Sequence, residues 1–529
     1  CSSDLNIKKM SALVGSIDQG TMSTRFTVYS INGEQIAGHQ APVKHITPRP
    51  GYIEQNPKDI INSVRNCLNA VASKLEALDR SPTEIITIGI TNQRETLVIW
   101  DKETGVPLYN AIVWCDNRNA GIIEELKEKY GENAFQSKTG LPISTYFTAT
   151  KLMWLKRNEP GIQKALDNKT CLFGTIDTWL VWCLTGKKAY VTDVTNASRT
   201  MLFNINTLKW DDDLCKIFGV PKDCLADVRS SAEIYGHITD EFGIYKGIPI
   251  SSVLGDQQAS LVGNKCIEKG TAKITYGTGC FLLYNTGDKP YFSEKGLITT
   301  VAFQMGKDKK AYYANEGSVA TCGMAVNWLY DILGRKEEIY DLAKSVKNSG
   351  GVYFVPAFSG LFCPYWRPDA RGCLIGMTGY TNRGHISRAV LEGIAFQAMD
   401  VLDCVDIPLG QVRVDGGLSR SDLLIQFQAD LLGIAIKRGA NVEATSKGAA
   451  IAAVIGLGLK DAGIISNDDD LSTFIPKMSP REVEFKQKMW RKAIQRSMQW
   501  IEPEDELTKE YSSMDSLSSV DDEYEEPSN

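Results

Sequence analysis

The alternation of apolar and polar residues predicts two β-hairpins of similar outline. The first covers residues 13–30 (LVGSIDQGTMSTRFTVYS), where an apolar run leads through a Gly, Thr and Ser turn into an alternating strand. The second covers residues 272–287 (AKITYGTGCFLLYNTG) and again places a Gly-Thr turn between two strands. Two such hairpins, far apart in one chain, predict a duplicated architecture.

Other apolar segments predict the remaining core elements. Buried strands are predicted at 85–91, 248–256 and 412–417, amphipathic helices at 57–79 and 120–130, and a small-residue segment that suits the second half at 446–459. A chain of 529 residues is too long for one hydrophobic core, so we expect two domains that meet near 265–272. Strands mixed with helices predict an α/β fold, with a mixed sheet and helices in each domain.

The negative charge of the chain is concentrated at its end. Residues 502–529 hold eleven Asp or Glu and one Lys, which leaves the other 501 residues with a net charge of +4. That mildly basic body suits an anionic small molecule such as a nucleotide, and it offers no basic face for nucleic acid. Residues 503–529 are rich in Ser and acidic residues and poor in apolar ones, which predicts a disordered acidic tail.

Thirteen cysteines and four histidines are scattered along the chain. No CxxC pair and no Cys/His cluster with zinc spacing occurs, which favours buried thiols in a cytosolic protein over disulfides or a metal site. No segment reaches the apolar length that a membrane-spanning helix needs. The opening residues CSSDLNIKKM lack a signal-peptide pattern, and we interpret residues 1–10 as a leader, with Met10 as a candidate start.

The first hairpin turn has the composition of a phosphate-binding loop. Its strand ends in Asp18, and Gly20 and several hydroxyl residues come next. Glycine lets the backbone approach a phosphate closely, consecutive turn amides form an anion nest, and hydroxyls add donors. Asp18 would help to hold a hydrated Mg²⁺ ion. The alternative is an ordinary hairpin turn, but the matching Gly-Thr-Gly turn at 277–279 favours a nucleotide held between the halves.

Asp256 is the candidate general base. It closes the apolar strand IPISSVLGD (248–256), and a carboxylate at the carboxyl end of a strand tends to face the cleft of an α/β fold. Phosphoryl transfer to an alcohol needs a group that accepts the hydroxyl proton. The alternative is that Asp256 caps a helix over 257–265, and the two roles are compatible.

Two further polar loops come after predicted strands. Arg94 and Glu95, in the loop TNQRET (91–96), offer a donor and an acceptor, the pair needed to hold vicinal hydroxyls. The alternative for this pair is a surface ion pair. The strand at 412–414 ends in Asp-Gly-Gly (415–417), whose glycines would let an adenine or ribose lie against the backbone, unless this is a plain turn.

Motifs of other nucleotide-binding classes are absent: the sequence has no GxxxxGK[ST] loop, no protein-kinase HRD or DFG, and no GxGxxG after a strand. Taken together, the motifs resemble those of the FGGY carbohydrate kinases in the actin–hexokinase superfamily, and among these the glycerol kinases. The resemblance covers roughly residues 11–502, and its most specific stretches are SIDQGT (16–21), GITNQRET (89–96), FGTIDTWLVWCLTG (173–186), VTNASRTMLFNI (194–205), GDQQASLVG (255–263), TYGTGCFLLYNTG (275–287) and YFVPAFSGLFCPYWRPDARG (353–372).

This resemblance implies a fold and a reaction. Two ribonuclease H-like domains of the actin-like ATPase type would flank a central cleft, residues 11–265 binding glycerol and phosphate and residues 266–502 binding the nucleotide. The γ-phosphate of ATP would pass to glycerol with Mg²⁺ present. The resemblance also implies a homo-oligomer, either dimer or tetramer, and a cytoplasmic location that leaves room for peripheral association with mitochondria.

The resemblance implies roles for individual residues as well. Glycerol would be held by Arg94, Glu95, Trp114, Tyr146, Asp256, Gln257 and Phe281, with Asp256 as the base. The nucleotide would be lined by Thr21, Met22, Ser23, Arg25, Thr278, Gly323, Asn327, Gly417 and Ser421. Asp18 and Asp256 would hold Mg²⁺ through water.

Three of these positions depart from the usual residues of the family. Met22 stands where a small hydroxyl residue is usual, which removes one side-chain donor to phosphate while the backbone amide remains. Ser421 stands where Asn is usual, and Asn327 where Gln, Arg or another polar residue occurs. All three bear on ATP binding, whereas the loop that would hold glycerol keeps the family pattern.

Two alternatives stay open at this point. The first is a kinase of the same family for another polyol or ketose, against which the NQRET loop, Trp114 and Tyr146 argue. The second is a nucleotide-binding scaffold or chaperone-like ATPase without phosphotransfer, against which the intact Asp18, Arg94, Glu95 and Asp256 argue.

Overall fold

Two β-sheets of similar topology organise the molecule, one in each half of the chain. The computed structural model describes residues 12–501, apart from 278, 320, 334–338, 359, 368, 406, 440–442 and 467–470. The leader predicted at 1–10 and the acidic tail predicted at 503–529 therefore lie outside the described residues. Within the described part, no helix has the length and apolar character needed to cross a membrane.

The first sheet has six strands: β1 (Leu13–Gln19), β2 (Ser23–Ser30), β3 (Gln35–Pro42), β4 (Ile85–Asn92), β5 (Gly236–His237) and β6 (Pro249–Gly255). Their order is β5-β6-β4-β1-β2-β3. β1, β2 and β3 form an antiparallel meander, whereas β4 runs parallel to β1 and β6 runs parallel to β4. The hairpin predicted at 13–30 and the two strands predicted at 85–91 and 248–256 are thus confirmed.

The second sheet has seven strands: β7 (Thr271–Tyr276), β8 (Cys280–Gly287), β9 (Ile298–Phe303), β10 (Tyr312–Val319), β11 (Gln411–Asp415), β12 (Ile436–Gly439) and β13 (Leu471–Phe474). Their order is β9-β10-β8-β7-β11-β12-β13. β7, β8 and β10 repeat the meander, and β11 and β12 continue it in parallel. Because this order matches that of the first sheet, the predicted duplication is confirmed, and with it the two-domain α/β fold.

Helices cover the sheets and connect their strands. Those of eight residues or more are α1 (Pro57–Glu76), α2 (Ala120–Tyr130), α3 (Thr148–Asn158), α4 (Pro160–Asp167), α5 (Ile176–Leu184), α6 (Asp256–Gly263), α7 (Gly323–Leu333), α8 (Arg383–Leu402), α9 (Asp422–Leu432), α10 (Ala444–Gly456) and α11 (Pro480–Ser497). Shorter α-helices lie at Gln136–Thr139, Val194–Ala197, Asp212–Phe218, Ile339–Lys344 and Gly463–Ser466. The helices predicted at 57–79 and 120–130 are confirmed, with α1 ending at Glu76.

Short 3₁₀ turns and strand pairs complete the described chain. The 3₁₀ turns are Pro82–Glu84, Lys222–Cys224, Asp240–Tyr245 and Gly417–Arg420. The two-stranded pairs join Glu54–Gln55 with Ala111–Ile112, Val98–Asp101 with Cys171–Gly174, Val191–Asp193 with Asp227–Arg229, Phe203–Asn204 with Lys209–Trp210, and Tyr353–Val355 with Cys373–Ile375.

Helix α10 joins the two halves of the molecule. Although it lies in the second half of the chain, it packs against the first sheet, where Ser252 Oγ of β6 donates to the Ala449 carbonyl at 2.8 Å. It also crosses α6 backbone to backbone, since a Cβ at Gly448 would lie 1.8 Å from the Ala259 carbonyl oxygen. The small residues at 446–459 therefore serve a contact with the first half.

Gly448→Ala should destabilise the fold. The added methyl group would meet backbone atoms that have no room to move, and overpacking of this kind costs about 1–3 kcal/mol. Gly121→Ala is the matched control, because a Cβ at this helical glycine meets nothing within 4 Å. Urea denaturation should show a lower midpoint for Gly448→Ala and no such decrease for the control, and equal midpoints would contradict the tight crossing.

Candidate active site

Three ionisable residues lie at the ends of neighbouring parallel strands of the first sheet. Asp18 lies near the end of β1, Arg94 comes after β4 and Asp256 comes after β6. The three strands are adjacent, and Asp18 is in register with Thr91 of β4. Because the carboxyl ends of parallel strands share one edge of a sheet, these residues meet there. Arg94 Nε lies 3.3 Å from Asp256 Oδ1.

A buried ion cluster surrounds Arg94. Its Nη1 and Nη2 donate to the two carboxylate oxygens of Glu316, at 2.5 and 2.8 Å. Arg199 donates through Nε to Glu95 Oε1 at 2.5 Å and through Nη2 to Glu316 Oε1 at 3.3 Å. All four side chains are buried, and buried charges are tolerated only when they are paired and hydrogen-bonded. The alternative of a surface ion pair at Arg94 and Glu95 is therefore wrong.

Glu95 is held in a strained backbone conformation. Its φ of 59° lies in the left-handed region, which non-glycine residues adopt rarely and at a cost of about 1–3 kcal/mol. Two bonds fix the turn: Thr148 Oγ1 donates to the Glu95 carbonyl at 3.1 Å, and Thr96 N donates to the Arg94 carbonyl at 2.7 Å. Such strain persists where the surroundings determine it, and here it sets Glu95 between the two arginines.

Asp256 is the accessible member of the cluster. Its side chain is 27% exposed, whereas that of Arg94 is 2% exposed. Burial raises the pKa of Asp256, with Arg94 opposing the rise and Glu95 adding to it. A carboxylate with a raised pKa is a better proton acceptor near neutral pH. The helix-cap alternative does not fit, because α6 begins at Asp256 itself and its N-cap residue is Gly255.

Asp18 lies in a patch of excess negative charge. Its Oδ2 is 3.8 Å from Arg25 Nη1, and Arg25 is shared with Glu443 at 3.2 Å. Burial raises the pKa of Asp18 to about 7, Arg25 opposes the rise, and Asp256 and Glu443 add to it. A bound cation would relieve this repulsion. No three His, Cys, Asp or Glu side chains form a metal site within the described ranges, whereas hydrated Mg²⁺ needs only one or two carboxylates.

Trp114 and Tyr146 form an aromatic wall beside the ion cluster. Their ring centroids lie 5.3 Å apart with an interplanar angle of 81°, an edge-to-face contact. Arg199 Cζ lies 5.7 Å from the centroid of the Tyr146 ring. Trp114 Nε1 donates to Thr21 Oγ1 at 2.9 Å, so the wall also contacts the first hairpin turn.

The second domain brings Lys273 to the same cleft. This lysine on β7 is fully buried, and its Nζ donates to Gln257 Oε1 and, at 2.8 Å, to Thr275 Oγ1. Phe281, half-buried on β8, pairs across the hairpin with Thr275. Gln257 and Phe281 therefore lie where the two domains meet.

The first hairpin turn presents an exposed tip. Met22 is 67% exposed, while Gly20 N closes the turn by donating to the Ser23 carbonyl at 2.9 Å. Ser23 Oγ accepts from Gln40 Nε2 at 2.9 Å. The Met22 side chain therefore alters the outer surface of the turn and leaves its internal bonds unchanged.

The second hairpin turn is a junction of glycines. Gly277 N donates to the Gly279 carbonyl at 2.9 Å, and Gly323 N, at the start of α7, donates to the Gly277 carbonyl at 3.0 Å. Gly416 has a φ of 87°, and a Cβ there would lie 2.5 Å from the Tyr276 carbonyl oxygen. At position 416 only glycine allows the backbone to approach Tyr276 this closely.

The remaining predicted nucleotide residues surround this junction. Gly417 begins a 3₁₀ turn, and a Cβ there would meet nothing within 4 Å. Asn327 is exposed one turn into α7. Ser421 is the N-cap of α9, where its Oγ accepts from Leu424 N at 3.4 Å. Thr278 lies outside the described residues.

Sequence reasoning missed the charged residues Arg199, Lys273 and Glu316, which contact the predicted acceptor residues Glu95, Gln257 and Arg94. Lys273 and Glu316 are single charges inside strands whose other residues are largely buried. Since an unpaired charge is not tolerated in a core, an isolated charge in an apolar strand is the signal that could have found them.

A second buried network supports the strand that ends just before Asp256. Asp193 accepts from the backbone amides of Thr195 and Asn196, both at 2.9 Å. Thr195 Oγ1 in turn accepts from the amide of Gly255 at 2.9 Å. Asp177 lies nearby, and burial raises its pKa to about 7, with the charge of Asp193 adding to the rise.

Family models match both halves of the chain. The N-terminal domain of the FGGY family of carbohydrate kinases matches residues 13–263, and the C-terminal domain matches residues 272–457. The chain belongs to the FGGY family of carbohydrate kinases. Membership makes it an ATP-dependent phosphotransferase and accounts for the cleft between two related domains.

Individual relatives agree with this assignment. The chain is 45% identical to a probable glycerol kinase of Dictyostelium discoideum, over 93% of this chain and 99% of that one. A crystal structure of Plasmodium falciparum glycerol kinase with ADP superposes with a TM-score of 0.86 at 39% identity, over 92% and 98% of the two chains. A xylulose kinase from Lactobacillus acidophilus shares the fold, with a TM-score of 0.80 at 24% identity over 91% and 96%.

Asp177→Asn should flatten the dependence of stability on pH. The ordinary pKa of this carboxyl is 3.8, and in the folded protein it is about 7. Between these values the folded state keeps a proton that the unfolded chain releases, so the free energy of unfolding falls as pH rises, by up to about 1.4 kcal/mol per pH unit. Denaturation from pH 4.5 to 7.5 should show a wild-type slope that includes this contribution together with those of other carboxyls with raised pKa values, such as Asp18, and a shallower slope for the variant.

Asp101→Asn is the control for that measurement. Hydrogen bonds from Thr104 lower the pKa of Asp101, so its stabilising contribution is lost only as pH falls below the ordinary value. The Asp101 variant should keep the wild-type slope between pH 4.5 and 7.5. An unchanged slope for Asp177→Asn would contradict a folded-state proton on Asp177.

Proposed function

We propose that the protein transfers the γ-phosphate of ATP to glycerol and releases sn-glycerol 3-phosphate and ADP. The observation that carries this proposal is the group at the strand ends, where the accessible carboxylate of Asp256 lies 3.3 Å from the buried Arg94 and the aromatic wall contacts Arg199 of the same ion cluster. The Dictyostelium and Plasmodium relatives, both named glycerol kinases, support the choice of acceptor.

In this mechanism Asp256 removes the proton from the attacking hydroxyl. The alcohol oxygen forms a bond to the γ-phosphorus, the bond to the β-phosphate oxygen breaks, and ADP leaves with that electron pair. Burial raises the pKa of Asp256 toward the range in which a base works at neutral pH. Arg94 can only donate hydrogen bonds and ionised Glu95 can only accept them. Together they would therefore hold two adjacent hydroxyls in a single orientation.

The phosphates would lie between the two hairpin turns. Backbone amides of Thr21, Met22 and Ser23 and the glycine junction around Gly277 would line them, because consecutive amides favour anions. Arg25, Thr278, Gly323, Asn327, Gly417 and Ser421 would complete the nucleotide side. Because the Ser421 hydroxyl already caps α9, Ser421 would contact the nucleotide through its backbone and the remaining hydrogen-bonding capacity of that hydroxyl.

Asp18 and Asp256 would hold a hydrated Mg²⁺ ion. The excess negative charge at Asp18 fits such an ion, which when bound neutralises charge on the phosphate oxygens. Arg25 Nη1 lies 3.8 Å from Asp18 Oδ2 and 3.2 Å from Glu443 Oε2, and it would offset part of this negative charge.

Acceptor choice is the part of the proposal that the fold leaves open, because the xylulose kinase shares it. Glycerol is favoured by the edge-to-face pair of Trp114 and Tyr146, which with Phe281 would leave little space for a pentulose. The proposal also includes a homo-oligomer and a cytoplasmic location with peripheral mitochondrial association, for which family resemblance is the support.

Asp256→Asn should lower kcat by about 10²–10⁴-fold. Asparagine keeps the size of the side chain but cannot accept the hydroxyl proton. Glycerol and ADP binding, measured by calorimetry, should stay within a few-fold of wild type, which serves as the control for folding. A near-normal kcat in a steady-state assay would rule Asp256 out as the base.

Arg94→Ala should raise the glycerol KM far more than the ATP KM. The wild type should also prefer glycerol strongly over xylulose, ribulose and gluconate as the phosphate acceptor. A site with buried polar groups rejects acceptors that leave those groups unpaired. Arg80→Ala is the control, since Arg80 pairs with Glu84 at 2.7 Å just before β4 begins, at the opposite end of that strand from Arg94. Both side chains are partly exposed, and pairs near the surface contribute about 0–1 kcal/mol. A pentulose used as well as glycerol would refute the acceptor assignment.

A further inference from the structure

Glu316 belongs to the second sheet but bonds to the first domain. It lies on β10, and Arg94 Nη1 and Nη2 donate to its Oε2 and Oε1 at 2.5 and 2.8 Å. Oε1 also accepts from Arg199 Nη2 at 3.3 Å. The side chain is 3% exposed, so water does not substitute for either arginine.

These bonds determine where the two arginines point. Arginine has several rotatable bonds, and a bidentate carboxylate fixes the plane of its guanidinium group. With both terminal nitrogens of Arg94 held by Glu316, its Nε lies 3.3 Å from Asp256 Oδ1. With Nη2 of Arg199 held by the same carboxylate, Arg199 Nε donates to Glu95 Oε1 at 2.5 Å.

We propose that Glu316 is a positioning residue for the acceptor site: a carboxylate of the second domain that aims Arg94 directly and Glu95 through Arg199. The proposal rests on the proposed function for the identity of the acceptor. The acceptor site of the first domain is then complete only while β10 of the second domain lies against it.

The electrostatics of the cluster support this role. Burial opposes ionisation of Glu316, but Arg199 and Arg94 outweigh it and lower its pKa to about 2. Glu316 is therefore a permanent acceptor at neutral pH. Without it two buried guanidinium groups would face each other, and Arg199 Nη1 already lacks a hydrogen-bond partner among the described residues.

Glu316→Gln tests the proposal by calorimetric titration of the full chain with glycerol and, separately, with ADP and Mg²⁺. Glutamine keeps the shape but turns one acceptor into a donor that faces guanidinium donors. We expect the glycerol Kd to rise about 10- to 100-fold, since small displacements of substrate-binding groups cost up to about 100-fold. The ADP Kd should change less than about threefold.

Glu392→Gln is the matched control. Glu392 is also buried in the second domain, where it accepts from Arg388 Nε at 2.9 Å and from Lys486 Nζ at 3.3 Å. Because it removes a buried charge pair, this substitution should lower the melting temperature. It should leave the glycerol Kd unchanged. An equal loss of glycerol affinity in both variants would assign the effect to general destabilisation and overturn the proposal.

The double variant Arg94→Ala, Glu316→Gln separates positioning from direct binding. If Glu316 acts through Arg94 and also through Arg199, removal of Arg94 leaves only the second route, so the free-energy cost in the double variant should be smaller than the sum of the two single costs, whereas independent roles would add. Additive losses would overturn the proposal.

Glu316→Asp covers the case in which the Gln variant does not fold. It keeps the charge but shortens the reach, so it should fold and show an intermediate rise in the glycerol Kd. A folded Asp variant with wild-type affinity would overturn the proposal. If wild type fails to bind glycerol, the proposed function fails, and the same comparison is made with the acceptor that the enzyme does phosphorylate.

Discussion

The backbone contact between α6 and α10 is the constraint on which the fold and the site both depend. α6 begins at Asp256, and a Cβ at Gly263 on the same helix would lie 1.9 Å from the Ala444 carbonyl oxygen of α10. Side chains normally keep helix axes roughly 8–10 Å apart, and glycine at the crossing allows the two backbones to approach more closely. Because Ser252 ties β6 to α10 as well, the strand before Asp256 and the helix after it are both held by the second half of the chain.

Much of the fold is determined by local sequence, but this contact is not. The hairpins at 13–30 and 272–287 could be predicted because their period-two alternation and turn residues act within a few positions of each other. The small residues at 446–459 indicate a tight helix contact, yet nothing in their pattern names the partner. Partner choice depends on surfaces that form only after both sheets exist, and here the partner is the first sheet and α6.

The residues of the candidate site likewise fall into those that local sequence could predict and those that depend on contacts between distant segments. Asp18, Arg94 and Asp256 could be predicted as cleft residues because each lies at the end of a strand, and the ends of parallel strands meet at one edge of the sheet. The partners of Arg199 and Glu316 could not, since Arg199 comes after the short helix Val194–Ala197, and the isolated charge of Glu316 in its strand indicates a buried ion pair without naming the partner. They reach the site through long-range contacts between the halves, and the pattern of a single segment does not contain such contacts.

The proposed function uses the two copies of the fold for different chemistry. In the first sheet the strand ends carry charged side chains, such as Arg94 and Asp256, which give the directional donors and acceptors that a polyol requires. In the second sheet Gly277 and Gly416 come directly after β7 and β11, where the lack of a side chain would let phosphate approach the backbone closely. The second sheet also carries a buried charge, Glu316, which is directed at the first domain. In the proposed function, acceptor recognition therefore belongs to one copy and is held in place by the other, so that phosphate transfer between them would require both.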